Sequence, residues 1–135
     1  MAVESNKLQL SEYWVAESEK IWNSSDKTNK STLKALEYID NAMQCNPLNH
    51  KAWANKGFFL KHLGKNELAL QCLERAISLK RDYIPPWYNR GVIFGLMGKF
   101  DDAVNCYNEV LKLDPNNIYA KRDREALVQL VKKKD

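Results

Sequence analysis

Histidine is scarce in this chain of 135 residues: only His50 and His62 are present. General-base catalysis and histidine-rich metal sites therefore have little to draw on. Cysteine is nearly as rare, with Cys45, Cys72 and Cys106 odd in number, far apart and each set in a helical apolar pattern. That usage excludes a disulfide framework and fits reduced core thiols, so a cytoplasmic location is expected. Cys45 and His50 stand five apart, but no second pair with ligand spacing joins them, and neither metal nor cofactor is expected. Long apolar runs are missing too. No stretch approaches the ~18 residues of a membrane span, and Glu4, Glu12, Glu17 and Glu19 interrupt any signal-peptide core. Gly95, Gly98 and Lys99 lack the spacing and the preceding strand of a phosphate loop. Gly98 reads better as a helix-ending glycine. With no catalytic constellation left, the chain is not expected to be an enzyme.

What is present is an ordinary soluble composition, 44% apolar and 28% charged, which fits one compact domain. The net charge of +4 is concentrated toward the C-terminus, where Lys132, Lys133 and Lys134 nearly close the chain. A run of that kind is ordinarily solvated.

The chain also repeats itself. A shift of 34 places Trp53 on Trp87, Asn55 on Asn89, Gly57 on Gly91, Gly64 on Gly98, Lys65 on Lys99, Ala69 on Ala103, Cys72 on Cys106 and Leu79 on Leu113. Unrelated segments of this length share roughly two identities by composition. Within each unit, apolar and small residues recur at helical spacing from Trp53 to Leu63, break at Gly64 and Lys65, and resume from Leu68 to Leu79. The unit is therefore helix, turn, helix.

Trp53, Lys56, Gly57, Leu60, Ala69 and Leu73, followed by Trp87, Arg90, Gly91, Phe94, Ala103, Tyr107 and Pro115, resemble the tetratricopeptide pattern W-x2-L-G-x2-Y, A-x3-F, P. Lys56 and Arg90 depart from the usual leucine, and Arg81 from the proline. A less regular copy precedes these two. Ala35, Leu36, Ile39, Ala42 and Pro47 fix its second helix, while Trp14, Ser18 and Ile21 reproduce the first. The distance from Ser18 to Ala35 exceeds that from Gly57 to Ala69 by five, and residues 24–30 are expected to absorb the excess as loop.

The resemblance implies an all-α fold, a right-handed superhelix of antiparallel helix pairs with three repeats and a capping helix. The expected organisation is a tail over 1–9, a divergent first repeat with a lengthened loop over 10–49, repeats over 50–83 and 84–117, and a cap with a basic tail over 118–135. Helices are predicted at about 10–24, 31–45, 50–63, 66–80, 85–97, 100–113 and 118–133. Gly57 and Ala69 let the helices of one unit approach closely.

In this family the first helices of successive pairs line a concave groove that holds a peptide or a partner helix. The resemblance therefore implies a protein-binding scaffold. Its groove residues would be Lys51, Asn55, Phe58, Lys61 and His62, then Tyr88, Asn89 and Val92, then Tyr119 and Arg122, with Trp22 from the first unit. Ala54, Glu12, Val15 and Glu19 count from the same register. Asn55 and Asn89 form a ladder of amides able to pair with an extended backbone. The competing reading of Trp22, Phe58 and Tyr88 is packing against a neighbouring helix.

Some family members dock onto cytosolic heat-shock chaperones by gripping a C-terminal carboxylate with lysine, asparagine and arginine. Asn55 fits that asparagine, but Pro85 and Asn89 hold the lysine and arginine positions, which argues against this grip. The alternative role is self-association into a homo-oligomer through an exposed end of the array. No membrane contact is expected. Nucleic-acid binding draws only on scattered cations, since carboxylates interrupt the basic stretches and no nucleic-acid motif is present.

Overall fold

The computed structural model describes residues 2–24 and 26–134. Over them the chain forms α1 (Ala2–Ser24), α2 (Asn29–Cys45), α3 (His50–His62), α4 (Asn66–Leu79), α5 (Ile84–Leu96), α6 (Phe100–Leu113) and α7 (Ile118–Lys134), with no strand among the described residues. Composition alone suggested one compact body. Packing divides the chain into two, residues 1–81 and 82–135. Stacked helix pairs touch mainly their neighbours, so such arrays separate readily into local units.

In the first unit α1 pairs with α2, α3 pairs with α4, and α3 packs on both α2 and α1. Val15, Ala35, Ile39, Ala42, Ala52 and Phe59 form its buried cluster, with Trp14, Ile21, Trp22, Leu36, Met43 and Phe58 packed around it. Val15 and Ala54, placed in the groove by register, are core residues instead. Ser18 is fully buried where the later units have glycine, and its hydroxyl donates to the Val15 carbonyl at 2.6 Å. In the second unit α5 pairs with α6, and α7 packs on α6.

The close helix crossings are where the repeat places them. A Cβ on Gly57 would lie 2.7 Å from the Leu73 side chain and 3.1 Å from the Ala69 carbonyl oxygen. A Cβ on Gly91 would lie 2.7 Å from the Tyr107 ring. Each turn then ends the same way. Gly64 and Gly98 both adopt φ +76°, the left-handed region that glycine enters without a steric penalty. The amides after them reach back, Lys65 to the Leu60 carbonyl at 3.0 Å and Lys99 to Phe94 at 2.8 Å, which closes the last helical turn.

Two boundaries differ from expectation. α1 begins at Ala2, so the described part of the expected tail continues the helix. α2 begins at Asn29, so most of the five-residue excess lengthens helices, chiefly by an added turn at the start of α2. Thr28 is the reason: its Oγ1 accepts from the Ser31 amide at 3.3 Å and caps α2. The polar residues that read as loop are cap chemistry. Ser25, part of the expected loop, lies outside the described residues.

Cys72 and Cys106 are buried, whereas Cys45 is half-buried, which corrects the expectation of three core thiols. Burial raises the pKa of both Cys72 and Cys106, so little thiolate forms at neutral pH. In a time course with an aromatic disulfide reagent, Cys45 should react first and the other two only as the protein opens. Fast reaction of all three in the folded state would contradict this placement.

Candidate functional site

The expected groove residues come from the first helix of each pair, and they gather in two places, one in each unit. In the first unit Trp22 near the end of α1 meets the last turns of α3. Its ring lies 5.2 Å from Phe58, 5.6 Å from Phe59 and 4.3 Å from His62, with Phe58 and His62 5.1 Å apart. The helical spacing of 58 and 62, one turn apart, puts both rings on the face that α1 covers.

Two lysines flank these rings. Lys61 Nζ stands 4.8 Å over Phe58, and Lys27 Nζ stands 4.9 Å over Trp22. Lys27 has φ +62°, a conformation uncommon for a residue with a Cβ. Burial pushes the Lys61 ammonium below its ordinary pKa. His62 keeps an exposed edge, yet the covered face against Trp22 lowers its pKa, and Lys61 and Lys27 push it further down. The patch therefore combines neutral aromatic area with two cations, a pairing that suits a partner's apolar side chain beside a polar or acidic group.

Nearer the start of α3, the expected ligands are already engaged. Asn55 Nδ2 donates to Glu19 Oε1 at 3.1 Å, and Lys51 pairs with Glu12 at 3.7 Å. Both partners lie on α1, so carboxylates stand beside these two α3 side chains.

In the second unit Tyr88 donates its hydroxyl proton to Asp123 Oδ2 at 2.5 Å, and its ring lies 5.7 Å from Tyr107. Burial, then the hydrogen bond to Asp123, lifts the phenol pKa to about 12. Asp123 also accepts from Arg122 Nε at 3.0 Å, while the Arg122 guanidinium lies 5.5 Å from the exposed Tyr119 ring. Tyr88, Asn89 and Tyr119 line one open depression of about 250 Å³ with Ile84, Pro85 and Asn117. Val92 is half-buried on α5.

Trp22, Phe58, Lys61 and His62 thus come together, as do Tyr88, Asn89 and Tyr119 with Arg122 beside them. Asp123 and Lys27 were not among the expected site residues. The signal for Asp123 is register: it stands 35 residues from Tyr88, and the 34-residue shift places Asn89 on it. For Lys27, nothing in the sequence foretells the left-handed backbone. Among the described residues no group of three or more His, Cys, Asp or Glu side chains is placed to hold a metal ion, and no helix is long and apolar enough to cross a membrane.

Comparison with known proteins places this geometry in context. Tetratricopeptide repeat profiles match residues 38–71, from the end of α2 through α3 into α4, and residues 85–117, covering α5 and α6. An uncharacterized protein of Methanocaldococcus jannaschii, MJ0572, is 31% identical over 74 residues, which span 55% of this chain and 80% of that one. Among solved structures, the first TPR of Spaghetti (RPAP3) bound to the HSP90 peptide SRMEEVD superposes with a TM-score of 0.83 at 22% identity, covering 92% of this chain and 94% of that chain. The Arabidopsis OM64 TPR domain gives 0.81 at 19% identity, over 90% and 96%. The Sgt2 TPR domain from Aspergillus fumigatus gives 0.80 at 19%, over 91% and 80%. Helix pairs closed at Gly57 and Gly91, both repeat profiles and these likenesses lead to one assignment: the chain belongs to the tetratricopeptide repeat family.

Proposed function

We propose that this chain is a protein-interaction module that binds an extended segment or a helix of a partner protein along the first helices of its repeats. The observation that carries the reading is the cluster of Trp22, Phe58 and His62 between Lys27 and Lys61. Aromatic rings with one cation over Trp22 and one over Phe58 offer contact area at low entropic cost and a charge to orient the partner. Tyr88, Asn89 and Tyr119 provide a contact surface of their own in the second unit, with Arg122 at its rim. Lys51, Asn55 and Val92 contribute polar and apolar contacts at the margins.

The partner differs from the C-terminal heat-shock peptide that the Spaghetti domain holds. Asn55 is spent on Glu19 and Lys51 faces Glu12, so acidic groups stand where a carboxylate grip needs unopposed cations. Pro85 and Asn89 complete the mismatch.

The test begins with affinity capture of a partner from cell lysate, followed by calorimetric titration of the purified pair. Lys61→Ala with His62→Ala should weaken binding about tenfold, a loss of ~1.4 kcal/mol, measured per folded molecule because both side chains also pack against Trp22 and Phe58. Unchanged affinity would remove this patch from the binding surface. Light scattering over a concentration series separates the competing role, since self-association predicts a mass that grows with concentration.

A further inference from the structure

The charge of this protein has an address. Helix α7 carries six of the 21 cations and two of the 17 carboxylates, a net of +4, so the remaining 118 residues are neutral as a group. On α7 the buried or half-buried Ala120, Leu127 and Val131 make the apolar face. Lys121, Arg124 and Lys132 share another face at helical spacing.

That cationic face borders two open depressions that meet at Arg124. One, of about 460 Å³, lies between α6 and α7 and is lined by Asn105, Asn108 and Lys112 with Arg124. The other, of about 370 Å³, runs along α7 past Lys121, Gln129 and Lys132. Arg124 is held in place, donating from Nη1 to Asn108 Oδ1 at 2.9 Å. Lys112 is already paired with Glu109 at 3.0 Å. Lys121 and Lys132 meet no carboxylate among the ion pairs of the described residues.

We propose that this face of α6 and α7 is a second docking surface, distinct from the first-helix patches, and that its occupant is an acidic segment of a protein. Charge complementarity names the sign of the occupant. The lining names its kind. Asn105 and Gln129 present amides, which match the N–H and C=O groups of an extended backbone. No aromatic ring lines either depression, so a nucleic-acid base finds nothing to stack on. Glu109 and Glu125 sit in the lining as well, where they would repel an unbroken run of phosphates but tolerate acidic residues interspersed with neutral ones. From Lys121 to Lys132 α7 rises ~16 Å, which about five residues of extended chain span.

The experiment titrates the isotope-labelled full chain with a blocked octapeptide of alternating Glu and Ser, and separately with an eight-nucleotide oligouridine, following backbone amide signals by NMR. The peptide should shift signals between Asn105 and Lys132. Lys121→Glu with Lys132→Glu should weaken it about tenfold or more, through loss of attraction and new repulsion. The exposed pair Lys7→Glu with Lys30→Glu changes net charge equally and should cost less than about twofold, since separated surface charges are screened. Equal weakening by both double variants would reduce the effect to net charge and overturn the proposal. Peptide shifts that fall outside α6 and α7 would do the same, as would tighter binding of the oligouridine than of the peptide.

Discussion

Replacing Gly91 by leucine is expected to lower the stability of the fold by about 3 kcal/mol, the upper end of what overpacking ordinarily costs. The first added atom already collides, since a Cβ there lies 2.7 Å from Tyr107 Cε1 and 3.0 Å from Cζ. Tyr107 is only 3% exposed, and its rigid ring has no free end that can swing aside. The remaining atoms of leucine enlarge the conflict, so α5 and α6 must separate and expose the apolar area between them. Gly57→Leu should behave alike against Leu73, which is fully buried, with some relief from the softer aliphatic side chain. Alanine at the exposed Lys65 or Lys99 should stay within about 0.5 kcal/mol. Thermal melts decide the matter: the glycine variants should fall by roughly 10 °C, and melting temperatures equal to those of the lysine variants would refute the close crossings.

These crossings are also why so much of the fold is legible in the sequence. A residue without a side chain, repeated at Gly57 and Gly91 and followed twelve positions on by Ala69 and Ala103, records a steric requirement that recurs in each unit. The boundaries of α3 to α6 follow from it within a residue or so. The start of α1 carries no such record: residues 2–10 are exposed throughout, so no apolar face announces that they are helical. The start of α2 misleads for the opposite reason, because Thr28 and Ser31 use loop-like residues to cap a helix. At the candidate site, the contacts of Trp22 with Phe58 and His62 match the packing against a neighbouring helix that the sequence left open beside a groove role for Trp22 and Phe58. Polar pairings are harder to read. Asn55 looks like a free amide until Glu19, on another helix, takes its hydrogen, and only the third dimension fixes that partner.

The second large effect is expected at Asn49, where one side chain serves three elements. It lies just before α3 and is 3% exposed. Its Oδ1 accepts from the amides of Lys51 at 3.1 Å and Ala52 at 3.2 Å, capping α3. Its Nδ2 donates to Ser11 Oγ at 2.9 Å and to Glu12 Oε1 at 3.3 Å on α1. Ser11, fully buried, donates a hydrogen bond from its own hydroxyl to the Ala42 carbonyl near the end of α2 at 2.8 Å. Loss of the cap alone typically costs ~1 kcal/mol, and leaving buried polar groups without partners costs a further ~1–3 kcal/mol. Asn49→Ala should therefore destabilise the protein by about 3 kcal/mol. Asn49→Asp separates the two contributions, because a carboxylate still caps α3 and still benefits from the helix N-terminus, yet it cannot donate to Ser11 and stands against Glu12. If the cap is all that matters, aspartate restores the stability of the parent. If the link to α1 carries weight, aspartate remains destabilised at neutral pH and Ser11→Ala adds little to Asn49→Ala in a double-mutant cycle. The second outcome is expected, and denaturant titration of the five proteins measures it. Full additivity of the Ser11 and Asn49 changes would show that the two side chains act independently and would refute the coupling of Asn49 to Ser11.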